Sequence, residues 1–467
     1  MGKCILGDKK ILIVGFGSIG AAVLPIIFDC FEDVTSDKIA ILTADASNAA
    51  VAEKYRVSHQ ITPLTPENYS TLLDDLLNEG DVLLNLSVDV SSYDLLIFCQ
   101  ARGIYYLDTS SETWLHEKDA PAETWENCGE RRIRILERKQ DFVGKATAVI
   151  CHGANPGIVS HFVKQALLNL AAQQGIQDKP KSSEGWARLA KNLKVQTIHI
   201  AERDTQTATL SRSSNEFVNT WSPNGFMFEA AEFSNFAWGT HEAALPAPNT
   251  RKLSDNLSPY CQMIELNIIS AQARAKSWVP SVGDIHGYVI PHAESFSIAE
   301  LLTLRDREAN NRIVYQPTVH YVYQPSVLAV ASLQDFIANK QRFLERKKLL
   351  MEEIEGGIDE LGVLILREGC EECYWYGSQL SIEEARLLVP HNNATSLQVA
   401  AGVVGGLIWA LQNPYAGLVE ADNIDFEMVL EIARPYLGTV KGVTGKMANS
   451  GTGDEVNWHF KDLMLSS

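Results

Sequence analysis

The chain has 467 residues, and its 40 Lys+Arg against 58 Asp+Glu leave a net charge of −18. That length predicts two or three domains with a core large enough to need no disulfides or structural metals, and 46% hydrophobic with 21% charged residues excludes long disorder. The acidic balance argues against nucleic acid or an anionic membrane as the main partner, and a small cation would instead be attracted.

The first strand is predicted at 10–14, a short β-branched run that stops at Gly15-Phe16-Gly17-Ser18-Ile19-Gly20, and an apolar helix follows. Further apolar runs at 39–42, 82–86, 104–107 and 146–151, with a weaker one near 59–61, alternate with helix-length segments at 49–55, 66–78 and 93–102. Continuous apolar strands separated by helices predict an α/β, Rossmann-type doubly wound parallel sheet over residues 1–157. The glycine spacing has a steric reading. Gly15 permits the tight turn, Gly17 lets the backbone approach a pyrophosphate, and Gly20 brings the helix close to the strand, with the N–H groups around Ser18 and Ile19 facing the anion. Standing between a strand and a helix, the motif predicts a dinucleotide site. Asp45, just past the second strand, is the nearest acid for the ribose hydroxyls, and no Arg stands beside it, which favours NAD over NADP.

Ligands of such sheets bind beyond the carboxyl ends of the strands. There the chain places Asn85-Leu86-Ser87-Val88-Asp89, Asp108-Thr109-Ser110-Ser111-Glu112 and His152-Gly153-Ala154-Asn155-Pro156-Gly157. Three loops thus deliver Asp89, Glu112 and Asn155 to one crevice, with Ser87 and Thr109 on the cofactor side. Each alone would pass for a turn residue. Their joint placement on one edge points to a site.

An amphipathic helix is expected from 158 to about 175 and an exposed loop at 173–184. Strand runs at 195–202, 217–221, 261–270, 286–292, 314–323 and 361–366 then predict an α+β substrate-binding and dimerisation domain over 158–390, with an extended antiparallel sheet. Carboxylates and aromatics gather in it: Glu202 at a strand end, Trp221, Glu229 and Glu232, Trp238, and His292 with Glu294 on one strand face. Singly these are core aromatics and ion pairs, but a diammonium site needs carboxylates for its ends and an aromatic face for a cation between them. Residues 391–467 are expected as a helical segment returning to the first domain, with Gly402, Gly405 and Gly406 marking close packing within 392–412.

The eight cysteines are scattered through apolar contexts and read as reduced, buried thiols of a cytoplasmic protein. Cys370 and Cys373 have ligand spacing but no second Cys/His pair follows, so no metal site is expected. The opening residues lack a signal-peptide pattern, and the longest apolar run, 397–411, falls short of the roughly 20 residues of a membrane span.

The glycine motif, Asn85-Leu86-Ser87-Val88-Asp89, Gly153-Ala154-Asn155-Pro156-Gly157, Ile198-His199-Ile200-Ala201-Glu202-Arg203-Asp204-Thr205-Gln206, Asn219-Thr220-Trp221-Ser222, Gly357-Ile358-Asp359-Glu360-Leu361-Gly362 and Tyr374-Trp375-Tyr376-Gly377-Ser378-Gln379-Leu380-Ser381 form a pattern. Together these segments resemble the bacterial homospermidine synthases, a family similar in fold to saccharopine dehydrogenases. The resemblance runs from residue 10 to about 438. It implies a homodimer that uses putrescine as substrate and NAD as a prosthetic group, with hydride removed and returned and no net redox change. It implies functional positions at Asp89, Glu112, Asn155, Glu202, Trp221, Glu229, His292 and Glu294, and it alone singles out Asp359. Where the family's ribose-binding acid is expected this chain has Thr43, with Asp45 two positions on, so either can hold the ribose.

An alkylammonium has a pKa near 10.4, and hydride leaves its α-carbon only once nitrogen has a lone pair. Some group must take that proton, and Glu202, Glu229 or His292 could do so, His292 having a pKa near working pH with Glu294 to orient it. Trp221 would face the iminium cations, while Asp89, Glu112 and Asp359 would set the distance between ammonium ends. Two other readings stand beside this one. A saccharopine dehydrogenase-like reductase making a carboxylated secondary amine needs an Arg, and Arg203 is the one within the cluster. A non-catalytic NAD-binding regulator would not need so many convergent acids.

Overall fold

The computed structural model describes residues 2–114, 125–210, 212–213, 215–448 and 456–465. The strands β1 (Ile11–Val14), β2 (Ile39–Thr43), β3 (Ser58–Ile61), β4 (Val82–Asn85), β5 (Tyr105–Asp108) and β6 (Ala148–Ile150) form one sheet, joined at its edge by Leu418–Glu420. The order is Leu418–Glu420, β6, β5, β4, β1, β2, β3, and every pairing is parallel. Strand order reverses at β1, where a doubly wound sheet opens its crevice. Along β1, Ile11 and Ile13 enter the core on one face, Leu12 and Val14 the core on the other. Burial on both faces explains why the strand is uniformly apolar rather than alternating. Gly15 ends it with φ +85°, and a Cβ there would stand 2.6 Å from the Ser87 backbone, so only glycine fits against the loop after β4.

Among the described residues the second sheet has ten strands, built around β7 (Val195–Asp204). Ile358–Arg367 lies antiparallel on one side of β7 and is followed by Glu372–Ser381, whereas Thr318–Gln324 lies parallel on the other. The expected antiparallel sheet is therefore mixed. The connection from β7 to Thr318–Gln324 passes through several other strands and is long enough for a crossover. The run expected at 314–323 splits into Arg312–Tyr315 and Thr318–Gln324 around Pro317, which has no N–H for the ladder. Proline acts similarly after Gly283–Ile290: the strand stops before Pro291, and His292 is the N-cap of the helix Ala293–Leu301. His292 and Glu294 thus sit on a helix start and not on the strand face expected for them.

The core on one face of the first sheet continues into the second domain through the helices Ile158–Gln173 and Ala394–Gln412. The latter packs on the helix Ser18–Cys30 that follows the glycine turn. At Gly402 a Cβ would overlap the carbonyl oxygen of Gly153, so the helix backbone touches the loop that carries Asn155. By length and composition Ala394–Gln412 could cross a membrane, but 89% of that stretch is buried inside the protein, as in a core helix. Residues 391–467 are not wholly helical as expected. Leu418–Glu420 extends the first sheet, and Thr439–Lys446 pairs antiparallel with Glu372–Ser381 in the second. Thr439–Lys446 is largely exposed and carries Lys441 and Lys446, the polar character of an edge strand, which hides it from hydropathy.

Candidate active site

A cavity of about 970 Å³ opens between the carboxyl ends of the parallel strands and the second sheet. Its first wall comes from residues 15–19, 43–45, 87–90, 109–112 and 153–156, and its second carries Glu202, Trp221, Glu229, His292 and Tyr321. Gly20, Glu294 and Asp359 stand behind these walls.

At the dinucleotide end, Gly17 faces open space, with no protein atom within 4 Å of a built Cβ, and the helix Ser18–Cys30 begins beside it. Bare backbone at a helix N-terminus is the cradle that a pyrophosphate needs. Thr43 is buried, its hydroxyl 3.4 Å from the Phe16 N–H, and so supports the turn itself. Asp45 is exposed on the rim and accepts from the Ser47 N–H at 2.8 Å. Both line the cavity, with Asp45 the charged acceptor of the two. These residues fit a dinucleotide.

At the other end the loops are held by one another. The Asp89 N–H donates to Glu112 Oε2 at 3.3 Å, and the Glu112 N–H donates to Ser92 Oγ at 3.0 Å. Beneath them Asp108 accepts from the Cys151 N–H at 2.6 Å and the Tyr106 hydroxyl at 2.7 Å, which fixes the turn that leads to Asn155. Asn155 Nδ2 donates to Glu202 Oε2 at 2.8 Å and so ties the two walls together.

Glu202 is 3% exposed and also accepts a hydrogen bond from the Tyr321 hydroxyl. Burial, reinforced by the charge of Asp204, pushes its carboxyl up to about 7, against the opposing hydrogen bonds from Tyr321 and Asn155. His292 lies between two carboxylates, Nε2 3.4 Å from Glu229 and Nδ1 3.2 Å from Glu294. Burial alone would lower its pKa, but Glu294 and Glu229 together outweigh that and hold it well above the usual histidine range. His292 is therefore an imidazolium at neutral pH with no free lone pair, contrary to the expectation that it titrates near working pH. Glu229, on the helix Pro223–Ala231, is raised by burial and lowered by His292. Trp221 precedes the same helix, and its indole N–H donates to the Tyr323 hydroxyl at 3.3 Å. Asp359 is fully buried and accepts from the Thr395 hydroxyl; Thr395, not Asp359, reaches the cavity.

Three expectations are corrected here. Glu232 faces away and pairs with the buried Arg131 at 3.0 Å. Trp238 belongs to a separate core with Phe236 and Phe460. Arg203 reaches Gln324 and Ser281 and does not line the cavity, whereas Arg131 does. Among the described residues six carboxylates, those of Asp45, Glu67, Asp89, Glu112, Glu202 and Glu229, line the cavity against two cations, Arg131 held by Glu232 and His292 held by Glu229 and Glu294. Tyr321 and Thr395 were not anticipated; both look like ordinary core positions in sequence.

Residues 11–149 match the saccharopine dehydrogenase NADP binding domain, and 153–445 the saccharopine dehydrogenase C-terminal domain. The homospermidine synthase of Blastochloris viridis is 43% identical over 445 residues, covering 93% of this chain and 91% of the relative, and that of Mesorhizobium japonicum is 38% identical over 441 residues, covering 92% and 89%. The chain belongs to the homospermidine synthase family. The solved homospermidine synthase of Legionella pneumophila, in complex with NAD, is 37% identical and superimposes with a TM-score of 0.89 over 99% of both chains. Family membership makes this chain an enzyme of the aminoalkyl transferase class and sets aside both the carboxylated-amine reductase and the non-catalytic regulator. The cavity agrees, since a substrate carboxylate would meet acids and an occupied Arg131.

Proposed function

We propose that the enzyme binds NAD along the glycine turn and joins two putrescine molecules into homospermidine with release of ammonia, as a homodimer in the cytoplasm. The observation that carries this reading is Glu202: a buried carboxylate on the cavity wall, oriented by Asn155 and Tyr321. The lack of an Arg beside Asp45 and Thr43 favours NAD over NADP, and the Legionella relative solved with NAD supports it. The eight free cysteines suit a reducing compartment.

When bound, NAD accepts hydride from the amine-bearing carbon and returns it to the second imine. Glu202 takes the proton from the bound ammonium and leaves nitrogen its lone pair; its raised affinity for protons matches that task. Asp89 and Glu112 hold the far ammonium end. The Trp221 ring faces the iminium cation, and Glu229, through the imidazolium of His292 and Glu294 behind it, keeps a fixed charge array on the second wall. Incubation with putrescine and substoichiometric NAD should yield homospermidine and ammonia in equal amounts with no net NADH; absence of both products would overturn the reading. Trp221→Ala should lower kcat about 2- to 30-fold, the equivalent of roughly 0.5–2 kcal/mol of cation–π stabilisation, with Trp221→Phe between it and the unsubstituted enzyme.

A further inference from the structure

Behind Glu202, two more acids are buried. Asp204 stands two residues along β7, on the same face of the strand, and Asp359 is its direct partner on the antiparallel strand Ile358–Arg367. The adjacent Thr205 N–H donates to the Ile358 carbonyl. Asp204 and Asp359 therefore occupy a non-hydrogen-bonded pair, where side chains approach most closely, with Cβ atoms about 4.5–5.5 Å apart. Both are at most 3% exposed, and no ion pair to either is found among the described residues.

The two acids are supplied unequally with donors. Asp204 accepts from the Thr220 hydroxyl and from the Gln206 backbone N–H and Nε2. Asp359 accepts from Thr395 alone, and its Oδ1 is buried with no hydrogen-bond partner among the described residues. A bare buried oxygen is costly on a carboxylate and far less so on a carboxylic acid, and two carboxylates at this spacing do not both ionise. The donors mark Asp204 as the ionised member and Asp359 as the protonated one. Burial raises Asp204 to about 6 and Asp359 further, the latter with help from Glu202 and Asp204. The other titratable groups around the pair are Tyr323, Glu360, whose charge also raises Asp359, and, through Glu202, Tyr321 and His292; Arg203 stands opposite Glu360 in the strand register.

We propose that Asp204 is a positioning residue for proton transfer at Glu202: Asp359 keeps its proton, Asp204 stays ionised, and the single negative charge on the pair makes Glu202 basic enough to deprotonate a bound alkylammonium. This rests on Glu202 as proton acceptor. The step balances, because the ammonium N–H bond breaks, Glu202 gains the proton, and the freed amine keeps the electron pair.

Asp204→Asn removes the charge at nearly constant shape. The acid limb of the kcat–pH profile should move down by about one unit, and kcat on the plateau above that limb should fall a few-fold as the weaker base loses driving force, with NAD affinity and Tm close to unchanged; Asp204→Glu should restore the limb. A purely structural role would lower kcat without moving the limb, and an unmoved limb overturns the proposal. Should Asp204→Asn not fold, infrared spectra of the unsubstituted holoenzyme decide. A buried protonated carboxyl band must persist at neutral pH and vanish in Asp359→Asn; its absence overturns the proposal. Full turnover by Glu202→Gln would overturn the proton-acceptor reading and the proposal with it, whereas an inactive Glu202→Gln with an unmoved limb in Asp204→Asn sinks the proposal alone.

Discussion

His292 is gripped at both ring nitrogens, by Glu229 at 3.4 Å and Glu294 at 3.2 Å. Its folded pKa lies above the roughly 6.5 of an unfolded chain. The charge interaction therefore stabilises the fold fully below about pH 6.5 and is lost as pH rises through the folded value. Thermal unfolding of His292→Gln should show its largest loss of Tm near pH 6 and its smallest at the alkaline end; a loss independent of pH would mean the contact acts by packing alone. Residue identity pointed to this group because acids near histidines are conspicuous in a sequence, yet its charge state was misread, since a second carboxylate from a different helix decides it. Tyr321 was illegible for the opposite reason. A tyrosine in an apolar strand looks like core until the hydroxyl is seen on Glu202.

The helix Ala394–Gln412 sets the position of the Asn155 loop by direct backbone contact. Gly402→Ala would drive a methyl group into the Gly153 carbonyl, so the helix must shift; a cost of about 1–3 kcal/mol is expected from such overpacking. Because Asn155 orients Glu202, turnover should fall in step with the lower unfolding midpoint, while Gly356→Ala, facing open space without a left-handed backbone, should leave kcat unchanged. Parallel strands such as β1 were legible since burial on both faces makes them uniformly apolar. Helix starts were less so. The helix Cys128–Leu136, which carries Arg131 to the cavity, opens with an Asn127–Glu130 capping box that only local spacing could have signalled.

On the scale of the whole molecule, the net charge of −18 becomes partly specific: among the described residues six carboxylates line one cavity. If this negative field draws in a dication, raising ionic strength should lower kcat/KM for putrescine more than kcat; equal losses would confine the acids' role to contact. The two-sheet plan was readable from strand periodicity, but the return of the last residues to both sheets was not, because Leu418–Glu420 is short and Thr439–Lys446 is polar. That return has a consequence for biosynthesis. Chains often fold from the N-terminus as they emerge, yet here the edge next to β6 is paired by residues 418–420 and the edge next to Glu372–Ser381 by residues 439–446. Neither sheet is complete on a nascent chain until residues 418–446 have emerged, so until then both edges present unpaired N–H and C=O groups to wrong pairing.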